Sequence, residues 1–258
     1  MTTENAPLSN TAALIIGATR GLGRGIALAL ARAGATVTAV GRSEDALASL
    51  ELEGAGRIDV VRGDATDAAL ARALLRERRP NALFMVAGAT PRMAPLRDYT
   101  WEQLSAPWTV DVKAAFVWLQ AVLTTPMAAG GRVVLVSSGA ALHGSPLSGG
   151  YAGAKQTQRF LAQYARGEAE EAGLELRVQC LLPQLNPNTA LGRAGVEAYA
   201  ARAGLDPETF VARRFGDTPL SPARAGQAAV ELLRDPSRAE PDEFMLLGEG
   251  LRALPSKG

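Results

Sequence analysis

The sequence alternates short apolar runs with longer segments of helical period, and this alternation limits the folds open to the chain more than any other feature. Parallel strands need long crossover connections, which are usually helices, so the pattern is typical of repeated β-α units. Right-handed crossovers place helices on both faces of a sheet. We therefore predict a doubly wound α/β sheet, mainly parallel, with seven strands at residues 12–16, 36–40, 57–61, 82–86, 132–136, 176–181 and 244–247.

Helices between the strands are predicted at residues 22–33, 46–52, 68–78, 101–127, 151–172 and 222–233. No Pro/Gly-rich linker or internal repeat divides the chain, so residues 1–258 are interpreted as a single domain. The alternation loosens only over residues 184–221, where a short helical piece is expected. Ligands of open α/β sheets bind beyond the carboxyl ends of the strands. This insertion is therefore predicted to cover a substrate, with an ordinary surface excursion as the alternative.

The composition suits a soluble enzyme and argues against several other classes. Hydrophobic residues make up 47% of the chain, charged residues 21%, and the net charge is +1, which disfavours disorder and nucleic-acid binding. No apolar run approaches the roughly 18 residues of a membrane-spanning helix, and the single cysteine, Cys180, excludes an internal disulfide framework. The N-terminal sequence lacks the basic start and apolar stretch of a secretory signal. We expect a cytoplasmic protein with no membrane or nucleic-acid partner.

A glycine-rich turn follows the first predicted strand and leads into the first predicted helix. Its glycines, Gly17, Gly21 and Gly23, have the spacing G-x-x-x-G-x-G. Glycine permits a tight turn and lets a pyrophosphate approach the backbone, and the helix N-terminus offers unpaired N–H groups with a partial positive charge. The turn lacks the lysine of a P-loop, which disfavours an ATPase. We predict a dinucleotide site here, with a purely structural turn as the alternative.

Two arginines near this turn favour NADP over NAD. Arg20 lies within the turn, and Arg42 follows the second predicted strand, where an acidic residue would instead bind the ribose 2′-hydroxyl of NAD. A guanidinium at either position can bind the 2′-phosphate of NADP, although both could simply be solvated in an arginine-rich chain. Asp64, after the third predicted strand, is either a contact for the adenine or a turn residue before the next helix.

Tyr151 and Lys155 lie four residues apart in a predicted helix, so their side chains share one face. Only three of the 27 basic residues are Lys, so a lysine at this position indicates a need for a compact ammonium. A positive charge about 4 Å from a phenol is worth roughly 4 kcal/mol at an effective dielectric of 20, enough to lower the tyrosine pKa by about two units. The pair predicts a general acid or base. Ser138, thirteen residues before Tyr151, ends the fifth predicted strand and is predicted to hold a substrate carbonyl.

Other catalytic constellations are disfavoured by the residues available. The chain has one histidine, His143, and no serine in a G-x-S-x-G elbow, so a Ser-His-acid hydrolase is not expected. One histidine and one cysteine cannot supply the usual set of soft metal ligands, so no metal site is expected. Cys180 falls in a predicted strand and is interpreted as a core residue.

Together these motifs resemble the short-chain dehydrogenase/reductase family, with a layout similar to its ketoacyl-carrier-protein reductase type, over nearly the whole chain. The resemblance implies a Rossmann-type fold with Ser138, Tyr151 and Lys155 as the active site. It implies that Tyr151 protonates a carbonyl oxygen as hydride arrives from the nicotinamide, that Ser138 positions that oxygen, and that Lys155 holds the ribose hydroxyls and lowers the tyrosine pKa. The predicted cofactor-binding positions are Gly17, Thr19, Arg20, Gly21, Leu22, Gly23, Arg42, Ser43, Asp64, Ala65, Ala87, Gly88, Ala89, Tyr151, Lys155 and Pro183.

Three positions depart from the pattern of that family. Val86 stands where the family usually has the asparagine of an Asn-Ala-Gly sequence, and Asp111 stands where it usually has a catalytic asparagine that helps hold a water near the lysine. An ionised Asp111 would partly cancel the field of Lys155 and raise the tyrosine pKa again. Gln184 replaces the glycine that normally follows Pro183 beside the nicotinamide. We therefore expect lower activity or a displaced pH optimum, with Asp111 as the fourth candidate catalytic residue.

The preferred function is an NADP(H)-dependent carbonyl reductase acting on a small-molecule carbonyl or alcohol. The alternative is a cofactor-binding protein of the same fold without redox turnover, either a regulator or a scaffold for a non-redox cyclisation or dehydration. The resemblance further implies a homodimer or homotetramer assembled through the helices at residues 101–127 and 151–172. Phe116 and Trp118 could contribute to such an interface or could be core residues.

Overall fold

The computed structural model describes residues 8–125 and 127–255. Within them one eight-stranded sheet has the strand order β3-β2-β1-β4-β5-β6-β7-β8. Neighbouring strands from β3 through to β7 pair in parallel, and β8 pairs antiparallel with β7. The strands are β1 Ala12–Ile16, β2 Thr36–Gly41, β3 Ile58–Arg62, β4 Ala82–Met85, β5 Gly131–Val136, β6 Leu176–Pro183, β7 Glu243–Leu246 and β8 Leu251–Ala253.

The doubly wound α/β prediction is confirmed, but the predicted number of seven strands is wrong because an eighth strand follows β7. This strand is only three residues long and contains the exposed Arg252. It returns through a tight turn in which the backbones of Leu247 and Gly250 exchange hydrogen bonds of 2.9 and 3.2 Å. A three-residue edge strand with an outward-facing charge has too little apolar pattern to be predicted from sequence.

Helices cover both faces of the sheet. They are α1 Gly21–Arg32, α2 Glu44–Glu53, α3 Ala68–Arg78, α4 Trp101–Pro107, α5 Lys113–Thr124, α6 Ala140–His143, α7 Gly149–Glu171, α8 Ala190–Ala203, α9 Pro207–Phe215 and α10 Pro222–Arg234. The short 3₁₀ turns Leu96–Asp98 and Pro236–Arg238 add to these. Several helices begin at a side-chain cap, such as Asp67 for α3 and Ser221 for α10, each of which accepts backbone N–H groups of the first turn.

The single helix predicted at residues 101–127 is wrong in two respects. It is interrupted by the π-helical turn Trp108–Val112, which separates α4 from α5, and α5 ends at Thr124. Pro107 closes α4 just before this turn, and proline disturbs a helical hydrogen-bond ladder because it has no backbone N–H. Pro126 lies outside the described residues. Single π turns frequently occur at functional sites, and this one carries Asp111.

The two faces of the sheet carry separate cores because successive strand residues point to opposite faces. On β1, Ala13 belongs to the core beneath α1 and α10, whereas Leu14 belongs to the core beneath α3, α5 and α7. Trp118 is fully buried in the second core and donates its Nε1–H to the Ala65 carbonyl at 2.9 Å. It is therefore a core residue, and the suggestion that it serves an interface is wrong.

The insertion at residues 184–221 folds into two helices, α8 and α9, rather than the one short piece expected. Each has a polar N-cap, Thr189 for α8 and Asp206 for α9. The rings of Tyr199 and Phe210 stack with centroids 6.4 Å apart and join the two helices. Tyr199 also hydrogen-bonds Ser145 in the loop before α7, so the insertion is attached to the rim of the cleft described below.

A largely buried ion pair joins α7 to strand β7. Arg159 Nε lies 2.7 Å from Glu243 Oε1, and the two side chains are only 8% and 19% exposed. Arg159 lies on the long helix that carries Tyr151 and Lys155, and Glu243 begins β7. The pair therefore holds the helix that supplies the predicted active-site residues against the sheet.

Some expectations about the whole chain remain predictions. Residues 1–7, on which the absence of a secretory signal partly rests, lie outside the described residues, as do residues 256–258. The single domain over residues 1–258 and the cytoplasmic location also stay predictions. Across residues 8–125 and 127–255, no helix has the length and apolar character that crossing a bilayer requires.

Candidate active site

The carboxyl ends of the parallel strands open into a cleft with a volume of about 1400 Å³. Typical pockets for a drug-sized ligand measure about 300–1,000 Å³, so this cleft has room for a large cofactor and a small substrate together. Its walls are the turns that follow β1 to β6 and the inner sides of α8 and α9. The strand order reverses between β1 and β4 beneath the cleft, which is where open α/β sheets bind their ligands.

Gly17 lets the turn after β1 pack against the segment after β4. It has a φ of +90°, and a Cβ atom at this position would lie 2.6 Å from the Ala87 nitrogen. The Gly17 N–H donates to the Val40 carbonyl at 2.9 Å, and the Ala87 N–H donates to the Ile16 carbonyl at 2.8 Å. A side chain at position 17 would therefore separate β1 from its neighbours at the floor of the cleft.

The first turn of α1 faces the cleft without a side-chain cap. Its N-cap residue is Arg20, whose side chain supplies no acceptor, and the first turn contains no acidic residue. N–H groups at such a helix terminus can bind a phosphate. The exposed side chains of Arg20 and Arg42 line the same part of the cleft, and neither forms an ion pair within residues 8–125 and 127–255.

Asp64 lies on the cleft wall and also shapes its own turn. Its Oδ1 accepts the N–H and the hydroxyl of Thr66, each at 2.8 Å. These hydrogen bonds, the backbone one first, hold the pKa of Asp64 below its usual value. Oδ1 of Asp64 therefore has the turn-forming role that the sequence suggested as one alternative. Oδ2 makes no hydrogen bond within the described residues and is available to a ligand.

Tyr151, Lys155 and Ser138 all line the cleft. Tyr151 stands near the start of α7, where the absence of a side chain on Gly150 lets the α4 backbone touch the helix: a Cβ atom on Gly150 would lie 2.1 Å from the Leu104 carbonyl oxygen. The Lys155 ammonium lies 5.5 Å from the centroid of the Tyr151 ring. Ser138 lies two residues beyond the end of β5, and its Oγ accepts the Ala140 N–H at 3.2 Å.

Lys155 is buried among oxygen atoms of the protein. Its Nζ lies 3.1 Å from Asp111 Oδ2, 3.0 Å from Gln158 Oε1 and 3.4 Å from the Val136 carbonyl oxygen. The approach to Asp111 is a charge contact rather than a well-directed hydrogen bond, whereas the other two are hydrogen bonds. The Lys155 side chain is 5% exposed and the Asp111 side chain is fully buried. We call Lys155, Asp111, Gln158 and the Val136 carbonyl the lysine cluster.

The lysine cluster keeps Lys155 positively charged. Burial by itself would lower its pKa, but the Asp111 carboxylate and the nearby Tyr151 outweigh burial, so the pKa of Lys155 lies above its usual value. The charge that the sequence predicted beside Tyr151 is present. It is shared with the buried carboxylate that the sequence also predicted to oppose it.

The π turn places Asp111 at the junction of three segments. Asp111 Oδ1 accepts the Ala89 N–H at 2.6 Å, while Oδ2 faces Lys155. Its backbone carbonyl accepts the Gln158 Nε2–H at 2.9 Å. Asp111 therefore joins the segment after β4 to α7, with Oδ1 accepting a hydrogen bond and Oδ2 in charge contact with Lys155.

The other two departures from the family pattern are also visible in the cleft. The Val86 side chain packs against the apolar core below the floor, so it contributes no polar group where the family has an asparagine. Gln184 donates its backbone N–H to the Leu246 carbonyl at 2.9 Å, and its partly exposed side chain lines the cleft beyond Pro183. A larger side chain than glycine therefore stands at this end of the cleft.

All of the predicted site residues except Gly23 line the cleft. Gly23 lies one turn into α1 beneath the glycine turn, where a Cβ atom would come within 2.1 Å of the Gly17 carbonyl oxygen. Its contribution is to the packing of α1 on the turn. Ser43 lines the cleft but its hydroxyl also caps α2 by accepting the Ala46 N–H at 3.4 Å.

The cleft also contains apolar residues, most of them in the insertion at residues 184–221 that was predicted to cover a substrate. The apolar side chains that line it include Met93, Leu142, Leu185, Leu191, Tyr199, Phe210, Phe215 and Met245. Gln158, which does not line the cleft, was missed because a glutamine in a long helix is ordinarily solvated. Its position three residues after Lys155 was the one available signal, since residues three apart share a helix face.

The two remaining sequence candidates lie apart from this chemistry. His143 is exposed at the end of α6 on the rim of the cleft. Cys180 is buried in β6, where desolvation and then the charge of Glu243 raise its pKa to about 12, so it is an inert core thiol. In the part of the chain that the structure describes, no cluster of His, Cys, Asp and Glu could hold a metal ion.

Comparison with known proteins agrees with this architecture. A family model described as short chain dehydrogenase matches residues 11–197. The chain belongs to the short-chain dehydrogenase family. Dehydrogenase/reductase SDR family member 4 of Mus musculus is 31% identical to this short-chain dehydrogenase over 192 residues, covering 71% of this chain and 68% of the mouse protein.

Two further matches extend the comparison. A protein of Streptomyces sp. (strain C5) assigned as a daunorubicin C-13 ketoreductase is 34% identical over 183 residues, which cover 67% of this short-chain dehydrogenase and 61% of that protein. A solved structure from Beutenbergia cavernae, assigned as an NAD(P)-dependent gluconate 5-dehydrogenase with NADP bound at low occupancy, matches with a TM-score of 0.77 and 28% identity. That match covers 95% of this chain and 97% of the other. The protein is thus an oxidoreductase of a family that uses NAD(P) and acts on small molecules.

Proposed function

We propose that this short-chain dehydrogenase is an NADP(H)-dependent carbonyl reductase, similar to the ketoacyl-carrier-protein reductase type, in which Tyr151 is the general acid. The observation that carries the proposal is that Tyr151, the buried Lys155 and Ser138 line the same cleft as the glycine turn, with the Lys155 ammonium 5.5 Å from the centroid of the Tyr151 ring. The relative assigned as a ketoreductase supports the carbonyl-reducing direction.

The residues of the cleft fit a dinucleotide. The uncapped first turn of α1 suits the pyrophosphate, and the segment Ala87, Gly88 and Ala89 lies along the floor between this turn and Lys155. Neither Arg20 nor Arg42 forms a salt bridge among the described residues, and Arg42 rather than an acid stands directly after β2, where an acid would bind a 2′-hydroxyl. These features favour NADP over NAD, as does the NADP in the related Beutenbergia structure.

When bound, the nicotinamide supplies the hydride. Tyr151, whose hydroxyl makes no hydrogen bond to another described residue, donates its phenolic proton to the carbonyl oxygen of the substrate, so that an alcohol forms. Ser138 Oγ donates a hydrogen bond to the same oxygen and orients it. Lys155 contributes positive charge beside the phenol and a donor for a ribose hydroxyl. Apolar residues of α8 and α9, such as Leu191 and Phe210, line the cleft and would lie beside a bound substrate.

The proposal is tested by the oxidation of NADPH with a panel of ketones. Replacing Tyr151 by Phe should lower kcat by at least about 100-fold, the lower end of the usual contribution of general acid catalysis. Tyr164→Phe is a matched control, because Tyr164 lies further along the same helix and does not line the cleft, so kcat should be unchanged. Normal turnover by the Tyr151→Phe variant would show that the phenol is not the proton donor.

A second candidate is a cofactor-binding protein without redox turnover, and the Asp111–Lys155 pair favours it. The carboxylate 3.1 Å from the ammonium reduces the positive field that Lys155 exerts on Tyr151. This candidate predicts tight binding of NADPH with no oxidation by any ketone of the panel. Turnover of a single ketone that Tyr151→Phe abolishes would exclude it.

We also propose that the chain assembles as a homodimer or homotetramer through the face formed by the π turn, α5 and α7. Four aromatic residues on these elements are exposed, namely Trp108 at 44%, Phe116 at 50%, and Phe160 and Tyr164 at 60% each. Large exposed apolar patches commonly mark protein interfaces. Light scattering should give a mass of two or four chains, and Phe160→Glu should reduce it.

A further inference from the structure

Gln158 is the least exposed polar partner of Lys155 that the proposed chemistry does not use. It lies on α7, three residues after Lys155, and is 2% exposed. Its Oε1 accepts a hydrogen bond from Lys155 Nζ at 3.0 Å, and its Nε2–H donates to the Asp111 carbonyl at 2.9 Å. Both ends of the amide are thus engaged inside the protein. A buried polar side chain with two fixed partners holds those partners at a defined separation.

Each N–H of the Lys155 ammonium faces an oxygen atom, two of them in hydrogen bonds and the third, toward Asp111, in a charge contact. An ammonium has three N–H donors, and three oxygen atoms face it, from Asp111, Gln158 and Val136. The contacts to Asp111 and Gln158 are 3.1 and 3.0 Å long, whereas the contact to the Val136 carbonyl is 3.4 Å. The Val136 contact is therefore the weakest of the three. A ligand hydroxyl can displace it at less cost than it can displace the other two.

We propose that Gln158 is a positioning residue that leaves Lys155 a single exchangeable N–H, and that it thereby limits the affinity for the ribose next to the nicotinamide. This inference rests on the proposed function, in which Lys155 binds that ribose. A ribose carries two adjacent hydroxyls, and one exchangeable N–H can serve only one of them. Without the Gln158 acceptor, a second buried N–H would lack a partner in the free protein, and the second hydroxyl could satisfy it. Binding of the dinucleotide should therefore tighten.

The test compares two ligands of the wild-type chain and of Gln158→Met, which has a similar volume but no acceptor oxygen. NADPH contains the nicotinamide ribose, and adenosine 2′,5′-bisphosphate lacks it. We expect the Kd for NADPH to fall about tenfold in Gln158→Met, equivalent to about 1.4 kcal/mol, while the Kd for the bisphosphate stays unchanged. Gln163→Met, an exposed glutamine of the same helix, should change neither Kd.

A second variant keeps the test open if Gln158→Met folds poorly. Gln158→Asn is one methylene shorter and withdraws the oxygen from Nζ while keeping a polar side chain, and it should also tighten NADPH binding selectively. An unchanged or weaker NADPH affinity in the folded variants, or an equal change for the bisphosphate, overturns the inference alone. A wild-type chain that binds neither NADPH nor NADH overturns the proposed function and the inference with it.

Discussion

Replacing Asp111 by Asn is the most informative perturbation of the site, because it removes a charge while preserving shape. Asp111 Oδ1 accepts the Ala89 N–H and Oδ2 faces the Lys155 ammonium, so the position places one oxygen on a buried N–H and the other beside a buried positive charge. Asparagine has one acceptor oxygen and an amino group that can only donate. Whichever way the amide is turned, its amino group must face either the Ala89 N–H or the Lys155 ammonium. One buried donor is then left without an acceptor.

The size of the effect follows from burial. Two unit charges 3.1 Å apart interact by about 5 kcal/mol at an effective dielectric of 20, and removing one partner of a buried ion pair typically costs about 3–5 kcal/mol. We expect Asp111→Asn to lose about 3 kcal/mol of unfolding free energy. For a chain of this size that lowers Tm by about 6–12 °C, since each kcal/mol shifts Tm by about 2–4 °C.

Urea and thermal unfolding measure this loss directly, and the chain supplies a matched control. Asp59 Oδ2 lies 3.1 Å from Arg78 Nη1, the same separation as the buried pair, but these side chains are 59% and 40% exposed. Asp59→Asn should therefore cost less than about 1 kcal/mol. Equal stability of the two variants would refute the reasoning that burial gives the Asp111–Lys155 pair its weight. In a folded Asp111→Asn variant, the midpoint of the pH profile of turnover should move to lower pH, because Lys155 then acts on Tyr151 without an opposing carboxylate.

Three further predictions concern the cofactor, the long helix and acid stability. Arg42→Leu should lower the preference for NADPH over NADH by at least about tenfold, because a hydrogen bond to a charged group is worth about 1.5–3 kcal/mol. The ratio of kcat/KM for NADPH to that for NADH measures this preference, and Arg72→Leu on α3 should leave the ratio unchanged. Arg159→Met should lower the free energy of unfolding, measured in urea, by about 3 kcal/mol, because it leaves the Glu243 carboxylate, only 19% exposed, without its partner. A loss below about 1 kcal/mol would mean that the pair behaves like a surface ion pair. The pKa of Asp64 is lowered in the folded chain from the ordinary 3.8, so its stabilising contribution is complete above pH 3.8 and is lost as pH falls through the folded value. Asp64→Asn should therefore make the urea midpoint less dependent on pH in acid, and an unaltered dependence would contradict the assignment.

The fold was predictable to the extent that its elements carry a strong apolar pattern. The core strands and the helices over residues 68–78 and 149–171 follow such patterns, and their ends fall close to the predicted positions. Pro107 was a sequence signal for a break in the helix predicted at residues 101–127, but the π turn Trp108–Val112 that follows it was not predictable, because the apolar spacing continues across it. The edge strand β8 was missed because three residues give too short a pattern to count.

The site was predictable where backbone topology alone brings residues together. The ends of neighbouring parallel strands meet at one edge of the sheet, so Ser138, the glycine turn and the segment after β4 were expected to share a cleft. The helical period placed Lys155 beside Tyr151 for a similar reason. The partners of the Lys155 ammonium could not be derived in this way. The contact with Gln158 depends on the side-chain rotamers of both residues, and the contact with Val136 is to a buried backbone carbonyl. Sequence patterns do not encode those contacts.

The charge that governs Tyr151 is therefore a property of the lysine cluster rather than of Lys155 alone. A lysine whose three N–H groups face Asp111, Gln158 and Val136 is firmly positioned and remains protonated, but its field is opposed by a carboxylate at 3.1 Å. The same contacts that stabilise the folded site thus reduce the capacity of Lys155 to activate the Tyr151 phenol. Such an opposition between stability and activity is common at functional sites. Activity and stability should consequently move in opposite directions when Asp111 is neutralised. A variant that lost both together would show that the ion pair supports the geometry of Tyr151 and not only the charge beside it.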